Sequence, residues 1–234
     1  MLPTSGWQGQ LLQTALQEPP QLVLTFYSYG ILMRKALSDG TYTEYPVDAA
    51  HIAQALAAKV RFDTGLLNND VLLVRREGLR ELVVGYRRPQ KTGLWLEGSD
   101  EPLRVALPGL ILLRTTSGGT PQYQLYAVKR RPTTLRAPLY HAPLPNVFNS
   151  GSICWGNVAL TPAQGTSLSG PWQDLFGSPF GNHAVSGKSL SHRQDIREHL
   201  LTLAADNTRT YPTRDLVATE KTLEQIVDWG RSHD

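Results

Sequence analysis

The residue in this chain best equipped for covalent chemistry is Cys154, the one cysteine in 234 residues. It lies near the end of a stretch that runs from Tyr140 to Asn157 and reads Tyr-His-Ala-Pro-Leu-Pro-Asn-Val-Phe-Asn-Ser-Gly-Ser-Ile-Cys-Trp-Gly-Asn. Pro138, Pro143 and Pro145 remove backbone donors, and Asn149-Ser150-Gly151 is a turn signal, so the stretch reads as loop. A thiol on a loop is accessible to another molecule, and an ordinary thiol, titrating near about 8.5, is already a few per cent thiolate at neutral pH. The competing reading is a buried inert thiol, the usual state of a free cysteine. His183, in Phe-Gly-Asn-His within a glycine-rich segment, is the downstream imidazole best placed by sequence to fold back as a base. Cys154 with His183 would make a cysteine hydrolase. Such nucleophiles generally open a helix, however, and Trp155-Gly156-Asn157 followed by Thr161-Pro162 argues against one here.

The spacing carries more information than the thiol alone. Asn146, behind Pro145, is followed by seven residues and then Cys154. This resembles the active-site segment of ubiquitin-conjugating enzymes, whose pattern is His-Pro-Asn, seven residues, then the thioester cysteine. Within that family it looks most like a divergent prokaryotic branch, conjugating-enzyme family D, the conjugating-enzyme-like component of the plasmid-borne PRTRC cassette. The resemblance implies a carrier that accepts a ubiquitin-like protein from a ThiF-type activating enzyme as a thioester on Cys154. The modifier then passes to an amine of an acceptor protein. It assigns Asn146 to the oxyanion formed in that second step, where one preorganised donor is worth roughly 3 kcal/mol; by residue type alone Asn146 could equally be an Asx-turn residue that shapes the loop. Trp155 could wall the acyl group from water or simply pack. Asn157 could position the amine or simply turn the chain. Leu144 stands where the family has histidine and cannot hydrogen-bond, and His141, three residues upstream, is a candidate displaced substitute.

Composition sets the frame for that site. Hydrophobic content of 41% and charged content of 18% fit a globular protein with one well-buried core. No run approaches the roughly 20 apolar residues of a membrane helix. The start, with Pro3, Gly6, Trp7 and Gln8, lacks the basic and apolar regions of a signal peptide, so a cytoplasmic location is expected. One cysteine allows no internal disulfide, no Cys/His spacing suggests zinc, and no cofactor is implied. The formal charge of +3 does not point to nucleic acid by itself. Arginines and lysines gather at Arg75, Arg76, Arg80, Arg87, Arg88 and Lys91 and again at Lys129, Arg130, Arg131 and Arg136, as solvated strand edges or as a docking face for an acidic partner. An idle conjugating-like scaffold or a DNA-binding plasmid-maintenance factor are the readings without catalysis.

The elements that must position Cys154 follow from periodicity. Leu11, Leu12, Ala15 and Leu16 share one face of a helix over 6–17, and Pro19-Pro20 ends it. The segment 21–35 with 42–47 reads as a hairpin about Ser38-Asp39-Gly40. Asp48 caps a helix to about Val60, with His51 on its surface. Six strands follow between 65 and 131 as an antiparallel meander, for which that helix is a candidate cover. After the cysteine, a short helix or turns near Trp172 lie against the loop. Ser191 with Gln194 suggests a capping box for a helix to Ala205, and Thr213 with Asp215 opens a last helix. The fold class expected is α+β with a UBC-like fold: residues 1–46 an added helix and hairpin, residues 47–234 the catalytic domain.

Overall fold

The computed structural model describes residues 20–57, 67, 69–77, 80–117, 120–162 and 165–228; the helix expected over 6–17 lies outside them. The chain divides into two compact units, residues 1–63 and 64–234.

In the first unit, β1 (Leu22–Tyr27), β2 (Gly30–Ala36) and β3 (Tyr42–Val47) form an antiparallel sheet in that order. The expected hairpin is therefore a three-stranded meander. A 15-residue strand over 22–36 is longer than sheets usually use, and the chain turns at Ser28-Tyr29, pairing Tyr27 with Gly30. Asp48 caps helix α1 (Ala49–Ala57), its carboxylate accepting from the Ala50 N–H at 2.6 Å. His51 is exposed on that helix.

The second unit is α+β and mostly antiparallel. Strands β4 (Val71–Glu77), β5 (Arg80–Arg87), β8 (Gly109–Ser117), β9 (Gln122–Val128), β10 (Pro138–His141) and β12 (Ala218–Thr222) form a sheet in the order β12-β10-β9-β8-β5-β4. The simple meander fails at one place: β6 (Gln90–Leu96) and β7 (Leu103–Leu107) pair with each other and leave the main sheet, so β5 pairs with β8. Pro89 and Pro108 stand at the two ends of this hairpin, where a missing N–H interrupts any continuing ladder. The two-residue strand β11 (Pro179–Phe180) adds to β6 in parallel.

Side-chain alternation buries both faces of the main sheet. On one, Val83, Leu110, Leu112, Tyr123, Leu125 and Ala127 meet Leu168, Trp172 and Leu175 of helix α2 (Ser169–Gly177) and its lead-in, and Ile196, Leu200 and Leu203 of helix α3 (Ile196–Ala205). On the other, Leu82, Val84, Ile111, Leu113 and Tyr126 meet Leu223 and Val227 of helix α4 (Leu223–Val227). The buried Arg114 guanidinium, 1% exposed, donates to Glu81 at 2.7 Å and to the carbonyls of Gly165 and Ser167.

The C-terminal expectations need two corrections. Helix α3 is capped by Asp195, whose side chain accepts from Arg197 N–H at 2.9 Å, and Ser191–Gln194 lies ahead of it as bends. The single last helix is instead a 3-10 turn (Thr213–Asp215), strand β12 and short α4. The edge left open by β10 recruits Ala218–Thr222 as a strand, and the capping box of Thr222 and Gln225 starts α4 only after it.

Candidate active site

The seven residues between Asn146 and Cys154 form a closed miniature hairpin. Val147 bridges Ile153, the Phe148 N–H donates to Ser152 O at 2.8 Å, and the Gly151 N–H returns to Phe148 O at 2.8 Å. The spacer thus brings its two ends together: the Cys154 N–H donates to Asn146 O at 2.7 Å. The hairpin docks on β9 through Leu125 N–H to Gly151 O at 2.8 Å and through the Tyr126 hydroxyl to Ser150 O at 2.6 Å. Gly151 has φ +90°, and a Cβ there would fall 2.6 Å from the Tyr126 hydroxyl oxygen, so two independent constraints require glycine.

Asn146 has a left-handed backbone, φ 58°, which asparagine tolerates better than most side chains. It sits at a crossing of three segments. Its N–H donates to His183 O at 2.8 Å and its carbonyl accepts from Cys154. Its side-chain amide donates to Pro179 O at 3.0 Å and accepts from Gly181 N–H at 3.3 Å. A primary amide carries two N–H donors, and these bonds use one of them.

Cys154 itself is partly exposed. It opens into a cleft of about 510 Å³ lined also by Asn146, Trp155, Asn157, Glu97 and His183. Five of the sequence candidates therefore share one cleft. Trp155 is held edge-to-face against Tyr123, ring centroids 5.5 Å apart. The exposed His183 imidazole stands edge-on to Phe148 at 5.1 Å. Asn157 is exposed in the turn after the cysteine, and residues 154–162 contain no helix. That downstream loop is pinned to α2, where the Asp174 carboxylate accepts from Thr161 N–H at 2.7 Å and its hydroxyl at 2.8 Å.

His141 lies elsewhere. It is in β10, paired with Tyr126, and does not line the cleft; burial, then the positive charges of Lys188 and Lys221, hold its imidazole below the usual range. Leu144 is fully buried, and its carbonyl accepts from the Lys188 ammonium at 2.6 Å. His192 and His199 are also away from the cleft: His199, on α3, is buried against Asp215, with 3.2 Å between Nε2 and the carboxylate.

Sequence reasoning missed Glu97 in the cleft and Lys188 beneath the loop. Glu97 follows β6, 57 residues before the cysteine, and only the parallel pairing of β11 with β6 brings it to Gly181, whose Cβ position would be 2.9 Å from Glu97 Oε2. No local signal announces it. The proline-rich run of buried carbonyls at 143–147 could have prompted a search for a buried donor.

Among the described residues no group of three or more His, Cys, Asp or Glu is placed to hold a metal, and no helix is long and apolar enough to cross a membrane. Comparison with curated proteins and with solved structures returned no significant match. The model of prokaryotic E2 family D matches residues 48–219, more than half of the chain, and that span includes Asn146, Cys154 and every other residue named in the cleft. The chain therefore belongs to prokaryotic E2 family D, the group of conjugating-type proteins that its asparagine, seven-residue hairpin and cysteine resemble.

Proposed function

We propose that the protein carries a ubiquitin-like modifier as a thioester on Cys154, on a fold of the ubiquitin-conjugating type. The observation that carries this reading is a partly exposed thiol whose main chain is bonded directly to Asn146, in a cleft open to a second protein. In the first step the Cys154 thiolate attacks the modifier's C-terminal thioester on a ThiF-type activating enzyme. The new S–C bond forms as the old one breaks, and the enzyme's thiolate leaves. One thioester replaces another, so the exchange is close to energetic balance and needs accessibility more than driving force.

In the second step an acceptor amine attacks the acyl carbon and generates a tetrahedral oxyanion. The remaining Asn146 N–H is the donor for that oxyanion, fixed in advance by the bonds to Pro179 and Gly181. Collapse forms the C–N bond, breaks C–S and returns the Cys154 thiolate, while the nitrogen gives up a proton. Glu97, a carboxylate on the cleft rim, accepts a hydrogen bond from the incoming amine and takes that proton. Trp155 shields the acyl group from water, and Asn157 and His183 line the approach of the amine.

The test is incubation with ATP, a ThiF-type enzyme and a ubiquitin-like protein, the two partners this reading requires. An adduct removed by reducing agent is expected, and Cys154→Ser should abolish it or trap a stable oxyester. A reducible adduct that survives Cys154→Ser would sink the proposal. A cysteine-hydrolase reading gains support only from His183 sharing the cleft; it requires ATP-independent turnover of a modifier amide that His183→Ala abolishes. Of the arginines a DNA-binding reading would use, Arg87 packs 4.3 Å from the Phe176 ring centroid and Arg131 donates to Asn69 O, while Arg88 is exposed. We further assign the protein to the cytoplasmic PRTRC setting, with an idle scaffold as the reading left if no adduct forms.

A further inference from the structure

Lys188 is 1% exposed and is one of the largest fully buried side chains. Its hydrogen-bond partners are two main-chain carbonyls, those of Leu144, at 2.6 Å, and Val147. Burial pushes the ammonium down to about 7, and no carboxylate is paired with it among the described residues. A buried cation without a counter-charge is costly, so an apolar side chain of the same size would serve packing better. What an apolar side chain cannot do is satisfy the two carbonyls.

Those carbonyls flank Pro145 and Asn146, in a run where Pro143 and Pro145 have no N–H and no ladder forms. Lys188 itself is anchored from the far side. Gly187 N–H donates to Arg193 O at 2.8 Å, and Ser189 bridges Leu216. The side chain therefore straps the stretch 144–147 to a segment outside the hairpin.

We infer that Lys188 is a positioning residue, its ammonium clamping the carbonyls on either side of Asn146 and so holding that residue in the left-handed conformation that bonds Cys154. This rests, for its consequence in catalysis, on the reading of Cys154 as an acyl carrier. The clamp supplies from beneath the loop what the leucine side chain at 144 cannot.

Full-length Lys188→Met and Lys188→Gln separate the possibilities. Met keeps the stem and removes both donors, while Gln returns a shorter N–H donor. Hydrogen–deuterium exchange of the segment 142–156 should accelerate by about tenfold or more in Met and by less in Gln, with the β8 core unchanged. In the thioester-loaded protein, discharge to a small amine should slow by a similar factor, while alkylation of Cys154 by a small reagent changes by no more than about twofold. Unchanged exchange in a folded Met variant would overturn the assignment. So would loss of the whole fold in both variants, which would make Lys188 a global support. Accelerated exchange in a protein that never forms a thioester would leave the clamp standing and remove the catalytic reading alone.

Discussion

At the scale of single residues, Asn146 has one role in its backbone and another in its side chain. Its positive φ shapes the loop, and its amide ties 179–181 and, in the proposed mechanism, supplies the oxyanion donor. Asn146→Gly keeps the backbone conformation and deletes the amide, whereas Asn146→Ala loses both. Discharge of the loaded thioester to an amine should fall by about 100-fold in Asn146→Gly, the loss expected for one preorganised donor. Charging by the activating enzyme should change far less. Equal losses in both steps would reduce Asn146 to a loop residue. Replacing Glu97 by Gln should lower discharge without touching charging, read in the same single-turnover experiment. Asn146 and Cys154 were legible in the sequence because their relation is local, one hairpin long. Glu97 and Lys188 were not, because each reaches the site through a pairing between distant segments.

At the scale of elements, the miniature hairpin is the unit that makes a spacing into a site. Gly151→Ala places a Cβ against the Tyr126 ring at φ +90° and should destabilise the protein by roughly 2–4 kcal/mol, combining overpacking with backbone strain. Tyr126→Phe relieves none of the backbone strain and removes only the bond to Ser150, so about 1 kcal/mol is expected. Urea unfolding of the two variants checks the ranking, and a Gly151→Ala protein as stable as the parent would refute it. The strands were readable from β-branched and aromatic runs. Departure of β6 and β7 from the sheet was not, since it depends on which partner β5 finds, and prolines at 89 and 108 were the only written sign. Ala218–Thr222 carries helix-compatible residues and becomes a strand because β10 offers it an edge.

For the whole molecule, the buried bases set a common pH trend. His141 and His199 are held below the ordinary imidazole range, chiefly by burial, and Lys188 is pushed to about 7 from 10.5. Each binds protons more readily unfolded than folded, so each contributes stability that is complete above its unfolded value and lost as pH falls towards its folded value. Thermal stability should therefore drop as pH falls through and below about 6.5 on account of the histidines. It should rise from pH 7 towards 9 on account of Lys188, by at most roughly 1.4 kcal/mol per pH unit. A neutral amine still has two N–H donors, so the clamp persists as the charge is lost. Lys188→Met should flatten the rise above pH 7 and leave the acid limb intact; an unchanged alkaline limb would count against the burial of a titrating lysine. In the second unit both faces of the main sheet are covered, and one cleft holds the cysteine, the asparagine and a carboxylate on which the proposed acyl transfer rests. The most direct measurement is the intact mass of the full chain after reaction with ATP, the ThiF-type enzyme and the ubiquitin-like protein. The expected result is a gain of one modifier less one water, located on Cys154 and reversed by thiol. No gain in mass, or a gain that persists in Cys154→Ser and resists thiol, would contradict it.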